Sequence, residues 1–193
     1  SGITAKDYGA DRPGECANML ARSVWVAAVL ALLLLAFQRP IGHASLALMQ
    51  AGDRVSALAA DYFFARVWAA PASILLFSLQ GWLIGMQDAR TPMFIAILSN
   101  VVNVVFSLWF ALGLGWGIAG VAWGTVVAQY TALLVALVFL WVKYRGYLRL
   151  IDLRASFSPA PLVHFLTVNR DIFLRTLCVV TAYTFFTAAS ARF

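Results

Sequence analysis

The sequence predicts an all-α, polytopic transmembrane helical bundle with about five spans, and three observations support this fold class. First, 63% of the 193 residues are hydrophobic and 11% are charged, whereas soluble domains have about 45–50% apolar and about 25% charged residues. Second, the apolar residues cluster in long runs such as residues 24–37 and 118–142, and a helix needs about 20 residues to cross a bilayer. Third, most of the 14 Lys and Arg residues lie between these runs, where basic residues set the orientation of membrane helices.

The composition also argues against several other classes of protein. The formal charge of +6 is explained by topology, so no nucleic-acid partner is expected. Cys16, Cys178, His43 and His164 stand apart from one another and predict neither a disulfide nor a metal site. The sequence contains no nucleophile with His and acid partners and no phosphate-binding loop, so we predict no catalytic residue, no cofactor and no enzymatic activity. The chain opens without a signal-peptide pattern, and we expect it to be part of a longer protein.

The first half of the chain is predicted to hold two spans. Residues 1–16 are polar and are expected to form an extramembrane loop. The first span covers residues 17–38, and a mildly amphipathic segment at residues 44–60 leads into the second span at residues 61–85. Pro71 lies inside this second span and is expected to kink the helix, because proline removes a backbone hydrogen bond.

The third and fourth spans are predicted to form an antiparallel hairpin. Thr91 suits the N-cap and Pro92 the first helical position, so the third span is expected to run from about Met93 to Leu112. Residues 113–117 are too few for anything but a tight turn into the fourth span, which ends near residue 142. Four small residues recur at helical spacing in the fourth span and would allow close helix packing: Gly117, Gly120, Gly124 and Ala128.

The last part of the chain contains a long linker and a fifth span. Residues 145–169 include Pro159 and Pro161 and suit a boundary between two helical bundles, and residues 172–191 form the fifth span. With these five spans, ten basic residues fall on one side of the membrane and four on the other, so the first side is predicted to be cytoplasmic. The ten are Lys6, Arg12, Arg22, Arg90, Lys143, Arg145, Arg149, Arg154, Arg170 and Arg175.

Polar residues inside the hairpin are the candidate site. Asn100, Asn103 and Ser107 share one face of the third span, and Thr125 and Gln129 are stacked on one face of the fourth. Their oxygen atoms could line a cavity for a cation or a polar substrate. Alternatively, the same groups hold the helices together, at about 1 kcal/mol for each bond. Both interpretations remain open from the pattern alone.

Several segments resemble one transporter family. The segment from Tyr62 to Pro92, with its Gln87-Asp88-Ala89-Arg90-Thr91-Pro92 turn, resembles the fourth helix and following turn of multidrug and toxic compound extrusion (MATE) transporters. Residues 2–10 resemble the end of the family's second helix, and residues 117–125 resemble the start of its sixth. Residues 169–177 and 190–192 resemble the seventh helix of the DNA-damage-inducible protein F subgroup.

The resemblance implies a twelve-helix fold of two lobes, of which this chain is a fragment. Residues 1–144 would belong to the first lobe, residues 145–169 would form the cytoplasmic interlobe linker, and residues 170–193 would form the first helix of the second lobe. It also implies cation-coupled antiport, in which protons or sodium ions drive the efflux of small organic, often cationic, compounds across a bacterial inner (plasma) membrane. Ser107 stands where a related subgroup commonly has Asp, so a coupling proton would need another carboxylate.

Two other functions are kept as alternatives. The wider superfamily includes lipid-linked glycan flippases, although the mid-span faces here lack the Arg and Lys residues expected of them. The chain could also be a non-transporting, truncated fragment. Membrane lipids are the other expected partners, while the substrate, the coupling ion and the oligomeric state are left open by the sequence.

Overall fold

The computed structural model of the protein describes residues 2–49, 53–152 and 173–182, together with residues 156, 163, 165, 167 and 170. The description of residues 44–49 and 53–55 is limited to their backbone. Most of these described residues are helical, and none of them lies in a β-strand. It divides into two compact units, Ser1–Ile151 and Asp152–Phe193.

The first unit is a succession of helices with short connections. In order, its described helices are α1 (Gly2–Gly9), α2 (Pro13–Ala36), α3 (Gln38–Met49), α4 (Asp53–Arg66), α5 (Ala70–Gly85), α6 (Arg90–Leu108) and α7 (Gly117–Leu148). A 3₁₀ turn at Val67–Ala69 joins α4 to α5, and a π-helical turn at Trp109–Gly113 extends α6. In the second unit, α8 covers Phe173–Ala182.

Four stretches of the described chain are long and apolar enough to cross a membrane: Pro13–Ala36, Ser56–Gly85, Arg90–Gly113 and Gly117–Leu148. They confirm the first four predicted spans, with shifts of a few residues at their ends. Of the predicted fifth span at residues 172–191, residues 173–182 are described as a short apolar helix, and the rest lies outside the described residues. The fifth span therefore stays a prediction.

The outward faces of these helices are apolar. In α6 the buried residues are Thr91, Pro92 and Ile95, while large apolar side chains elsewhere are exposed, such as Phe77 at 70% and Leu112 at 78%. In water this arrangement would lose the hydrophobic stabilisation that holds a soluble fold together. It is stable when lipid is the solvent, and the chain is therefore an integral membrane protein.

The buried core lies at one end of the bundle. The indole Nε1 of Trp82 near the end of α5 donates to the backbone carbonyl of Cys16 near the start of α2, at 2.8 Å. The Trp82 ring also meets the edge of the Tyr144 ring near the end of α7, with centroids 5.1 Å apart. These contacts bring the start of α2, the end of α5 and the end of α7 to the same level of the membrane.

The predicted loop at residues 1–16 is wrong, because α1 is helical. Its Thr4 is 2% exposed, and α1 packs against α2 and α5. The helix ends with Asp11 in the left-handed region at φ 52°, where the N–H groups of Asp11 and Arg12 donate to the carbonyls of Tyr8 and Asp7. These bonds satisfy carbonyl groups in the last turn of α1. The polar residues in this segment therefore belong to the end of a helix and not to a loop.

The turn before α6 also differs from the prediction. The helix begins at Arg90 instead of Met93, and Thr91 is not its cap. The Asp88 carboxylate accepts the Thr91 N–H at 3.2 Å, which satisfies a free donor of the first turn. Pro71 lies in the first turn of α5, directly after the 3₁₀ turn, so the second span changes its helix type where the kink was predicted.

Candidate functional site

The α6–α7 hairpin is built on glycines that allow close approach. A Cβ atom added to Gly124 would lie 2.5 Å from the backbone N of Ser107, and one added to Gly120 would lie 2.7 Å from the backbone N of Ala111. Real Cβ atoms do not come this close, so both positions need glycine. This confirms the predicted small-residue stripe for Gly120 and Gly124. Gly117 differs, because it adopts φ +55° in the turn and has open space around it.

The hairpin brings three of the five predicted site residues together. The Asn103 side-chain amide donates from Nδ2 to the Thr125 hydroxyl oxygen at 2.9 Å. The hydroxyls of Thr125 and Ser107 both donate to the Val121 backbone carbonyl, at 3.1 Å and 3.4 Å. These bonds join the last part of α6 to the first part of α7, in the half of the hairpin nearer its turn.

The other two predicted residues lie along the same line. Asn100 lies about one helical turn before Asn103, and Gln129 lies about one turn after Thr125. Because α6 and α7 are antiparallel, the Asn103–Thr125 pairing therefore places Asn100 and Gln129 at the same level. Asn100 is exposed and Gln129 is half-buried, and within the described part of the chain neither side chain has a hydrogen-bond partner. We call the five residues Asn100, Asn103, Ser107, Thr125 and Gln129 the polar strip.

The chemistry of the polar strip follows from its atoms. Its carbonyl and hydroxyl oxygens are ligands suited to a hard cation. The Asn103–Thr125 bond uses the amide nitrogen of Asn103 and leaves its carbonyl oxygen without a donor among the described residues. None of the five side chains titrates near neutral pH, so the strip itself cannot carry a proton. Among the described residues no group of three or more His, Cys, Asp or Glu side chains could hold a metal ion.

A second polar group, which the sequence analysis did not predict, lies at the turn between α5 and α6. We call Asp88, Thr91, Lys143 and Tyr144 the turn cluster. Asp88 Oδ2 accepts from Lys143 Nζ at 2.7 Å, from the Thr91 hydroxyl at 2.7 Å and from the Tyr144 hydroxyl at 3.0 Å. The cluster therefore ties the α5–α6 turn to the end of α7.

The carboxylate of Asp88 is held in its charged form by these bonds. Its side chain is 6% exposed, and this burial raises the pKa of Asp88. The hydrogen bonds from Lys143, Thr91 and Tyr144 outweigh the burial, so the pKa of Asp88 lies well below its usual range. Asp88 is thus a fixed negative charge and not a proton carrier at neutral pH.

The fold described above is that of a polytopic α-helical membrane protein with a closely packed hairpin. Comparison with known proteins identifies the family within this class. The sequence model of the MatE family matches residues 1–109, which is more than half of the 193 residues. The chain therefore belongs to the MatE family, the multidrug and toxic compound extrusion proteins, as its sequence motifs indicated.

Two curated relatives extend the match beyond this region. DNA damage-inducible protein F of Escherichia coli K12 is 31% identical over 194 residues, which cover 100% of this chain and 42% of the relative. Protein DETOXIFICATION 43 of Arabidopsis thaliana is 32% identical over 131 residues, covering 68% of this chain and 24% of the relative. The chain thus spans less than half the length of either relative.

Two solved structures share the fold. A MOP superfamily transporter from Pyrococcus furiosus matches with a TM-score of 0.74 at 23% identity, over 83% of this chain and 35% of that one. A MATE structure in complex with MaD3S matches with a TM-score of 0.73 at 25% identity, over 83% of this chain and 36% of that one.

Proposed function

We propose that this chain is part of a secondary transporter that exports small organic, often cationic, compounds in exchange for protons or sodium ions. The observation that carries the proposal is the polar strip along the contact between α6 and α7. An exposed amide such as that of Asn100, near the middle of a membrane span, is costly against lipid. It indicates that this face of the hairpin borders a water-filled or protein-lined cavity, as a transport pathway requires.

Within this proposal the polar strip supplies oxygen ligands for the coupling cation. Asn103, Ser107 and Thr125 are already held in place by hydrogen bonds, so little ordering is needed when an ion binds. Sodium suits such neutral oxygens. If the ion is a proton, a carboxylate beyond the strip must carry it, because Ser107 stands where a related subgroup commonly has Asp.

The hairpin is suited to move as one body during alternating access. Gly120 and Gly124 place the backbones of α6 and α7 in direct contact, and the turn cluster fixes the α5–α6 turn to the end of α7. Residues 1–144 would then form part of one lobe, and residues 145–169 would link it to a second lobe that begins at residues 170–193.

The membrane is proposed to be the inner (plasma) membrane of a bacterium. A relative in Escherichia coli supports the bacterial assignment. The end of the bundle that carries Arg90 and Lys143 would face the cytoplasm. Lipid-linked glycan flipping has no observation in its favour, because the polar strip contains amides and hydroxyls and no Lys or Arg.

The test is transport by the full-length native protein in sealed proteoliposomes. A fluorescent organic cation is loaded on the cytoplasmic side, and either a sodium or a proton gradient is imposed in the opposite direction. We expect one of the two gradients to drive dye movement, and dissipating that gradient should stop it.

Two variants at neighbouring positions of α6 connect transport to the polar strip. Asn103→Leu removes an oxygen ligand and should slow gradient-driven transport about tenfold, which corresponds to about 1.4 kcal/mol. Val104→Leu is the matched control, since Val104 is 57% exposed on the apolar face, and it should transport like the wild type. Equal rates for the two variants, or no movement under either gradient, would refute the proposal.

A further inference from the structure

A cleft opens at the end of the bundle where α5 turns into α6 and α7 ends. Its volume is about 600 Å³, and the residues that matter here are Tyr8, Gln87, Asp88, Arg90, Lys143 and Tyr147. The cleft lies where α6 begins and α7 ends, whereas the polar strip lies closer to the turn that joins the two helices. It plays no part in the proposed transport site.

The cleft presents positive charge to its opening. Arg90 is exposed, and in the part of the chain that the structure describes its guanidinium has no ion pair and no hydrogen bond. The Lys143 side chain is 53% exposed and uses one ammonium hydrogen for Asp88 at 2.7 Å, which leaves two donors. The Asp88 carboxylate is buried beneath these groups and is satisfied by four hydrogen bonds from Thr91, Lys143 and Tyr144.

The cleft also lies at the level of the lipid headgroups. The four candidate spans place Gly85, Arg90 and Leu148 at the ends of their helices, and the cleft is built from the residues around these ends. Tyr8 and Tyr147 line it, and tyrosine is enriched at membrane interfaces. Arg145 lies over the Trp141 ring, 5.7 Å from its centroid, and adds a further cation at this end. The Asp11 carboxylate lies near Tyr147, and the next residue in the chain, Arg12, carries the opposite charge.

We propose that this cleft binds the phosphate of an anionic phospholipid from the adjoining leaflet. The Arg90 guanidinium is the main ligand, because its planar donors form paired hydrogen bonds with phosphate oxygens. The two remaining Lys143 donors and the Tyr8 hydroxyl complete the site. Basic pockets between membrane helices on the cytoplasmic side are suited to anionic headgroups, and the fixed charge of Asp88 holds Lys143 in position.

The experiment measures lipid binding to the full-length protein in neutral phosphatidylcholine nanodiscs. Phosphatidylglycerol is added in steps, and its apparent affinity is obtained from the rise in melting temperature. Arg90→Gln should weaken the binding about tenfold, and Arg90→Lys should fall between Arg90→Gln and the wild type. Arg39→Gln is the matched control, because it removes the same charge beyond the opposite end of α2 and should stay within about twofold of the wild type.

Two results would overturn the proposal. If Arg90→Gln and Arg39→Gln weaken phosphatidylglycerol binding equally, the effect belongs to the net charge of the surface and not to the cleft. If inorganic phosphate in phosphatidylcholine alone gives the same Arg90-dependent rise in melting temperature, the cleft binds a soluble anion and not a lipid. No such rise with inorganic phosphate, combined with the tenfold loss for Arg90→Gln, supports the lipid site. Dye transport is measured separately, so a failure of the lipid site leaves the transport test unaffected.

Discussion

Replacing Gly124 by alanine should loosen the packing of α6 against α7. The added Cβ would lie 2.5 Å from the N and Oγ atoms of Ser107 and 2.6 Å from its Cα, whereas relaxed contacts between carbon atoms need about 3.5 Å or more. The two helices must therefore separate by about 1 Å at this level. Such overpacking costs about 1–3 kcal/mol.

Two smaller effects accompany this separation. The Asn103–Thr125 hydrogen bond of 2.9 Å would lengthen beyond its useful range, and such bonds contribute about 0.6 kcal/mol on average in membrane proteins. In the opposite direction, the higher helix propensity of alanine stabilises the folded state by up to about 1 kcal/mol. The net loss of unfolding free energy should be about 1–3 kcal/mol.

The assay is reversible unfolding in mixed micelles, followed by circular dichroism. Gly146→Ala is the matched control, because Gly146 lies in the same helix and nothing lies within 4 Å of its added Cβ. This control should be neutral, or more stable by up to about 1 kcal/mol. The reasoning about close packing is refuted if Gly124→Ala is as stable as Gly146→Ala.

Three further predictions concern the turn between α5 and α6. A double-mutant cycle of Asp88→Asn and Lys143→Met, measured by unfolding, should give a coupling free energy of about 1–2 kcal/mol, a range that already allows for the exposure of Lys143. A coupling free energy of zero would contradict the ion pair. Because the folded-state pKa of Asp88 is lowered, its stabilisation is present above about pH 4 and is lost as the pH falls further. The melting-temperature difference between the wild type and Asp88→Asn should therefore shrink at acidic pH, and a constant difference would contradict this. Gln87 adopts φ 60°, a left-handed backbone conformation that is strained for residues with a Cβ atom but not for glycine. Gln87→Gly should therefore raise the unfolding free energy by about 1 kcal/mol in the same assay. A lower unfolding free energy would contradict this, because the Gln87 side chain would then contribute more than the strain costs.

The architecture of the hairpin could be predicted because it depends on counting residues. Helical periodicity places Asn103 and Ser107 on one face, and the short turn before α7 leaves an antiparallel neighbour as the solution. The pairing of Asn103 with Thr125 follows from the same arithmetic. Ion binding and helix packing use the same polar oxygens, so the periodicity that predicts one of these roles also predicts the other.

The turn cluster could not be predicted because its members are far apart in the sequence. Lys143 and Tyr144 are 55 and 56 residues from Asp88, and nothing in the local pattern indicates their contact. The signal that was available is the Asp88-Ala89-Arg90-Thr91 segment, where an aspartate three residues before a helical N–H suits an N-cap. Because proline is common at the first position of a helix, the sequence pattern assigns Pro92 to that position. The predicted start is therefore later in the chain than Arg90, where the helix begins.

The error at the N-terminal end has a different physical cause. Composition alone cannot distinguish a polar loop from a polar helix end at the membrane interface. In α1 the decisive contact is tertiary, because Thr4 is buried against neighbouring helices. Gly117 shows a similar limit, since helical spacing assigned it to a packing stripe while its positive φ places it in the turn.

The most direct measurement of the central claim is the coupling-ion concentration that gives half-maximal dye transport by Thr125→Val and Thr131→Val. Both substitutions remove one hydroxyl from α7. Thr125 accepts the Asn103 bond in the polar strip, while Thr131 donates at 2.8 Å to Val127 in its own helix. If the strip binds the cation, Thr125→Val should need about tenfold more ion, and Thr131→Val should behave like the wild type. Equal ion dependence for the two variants would contradict the assignment of the cation site to the polar strip.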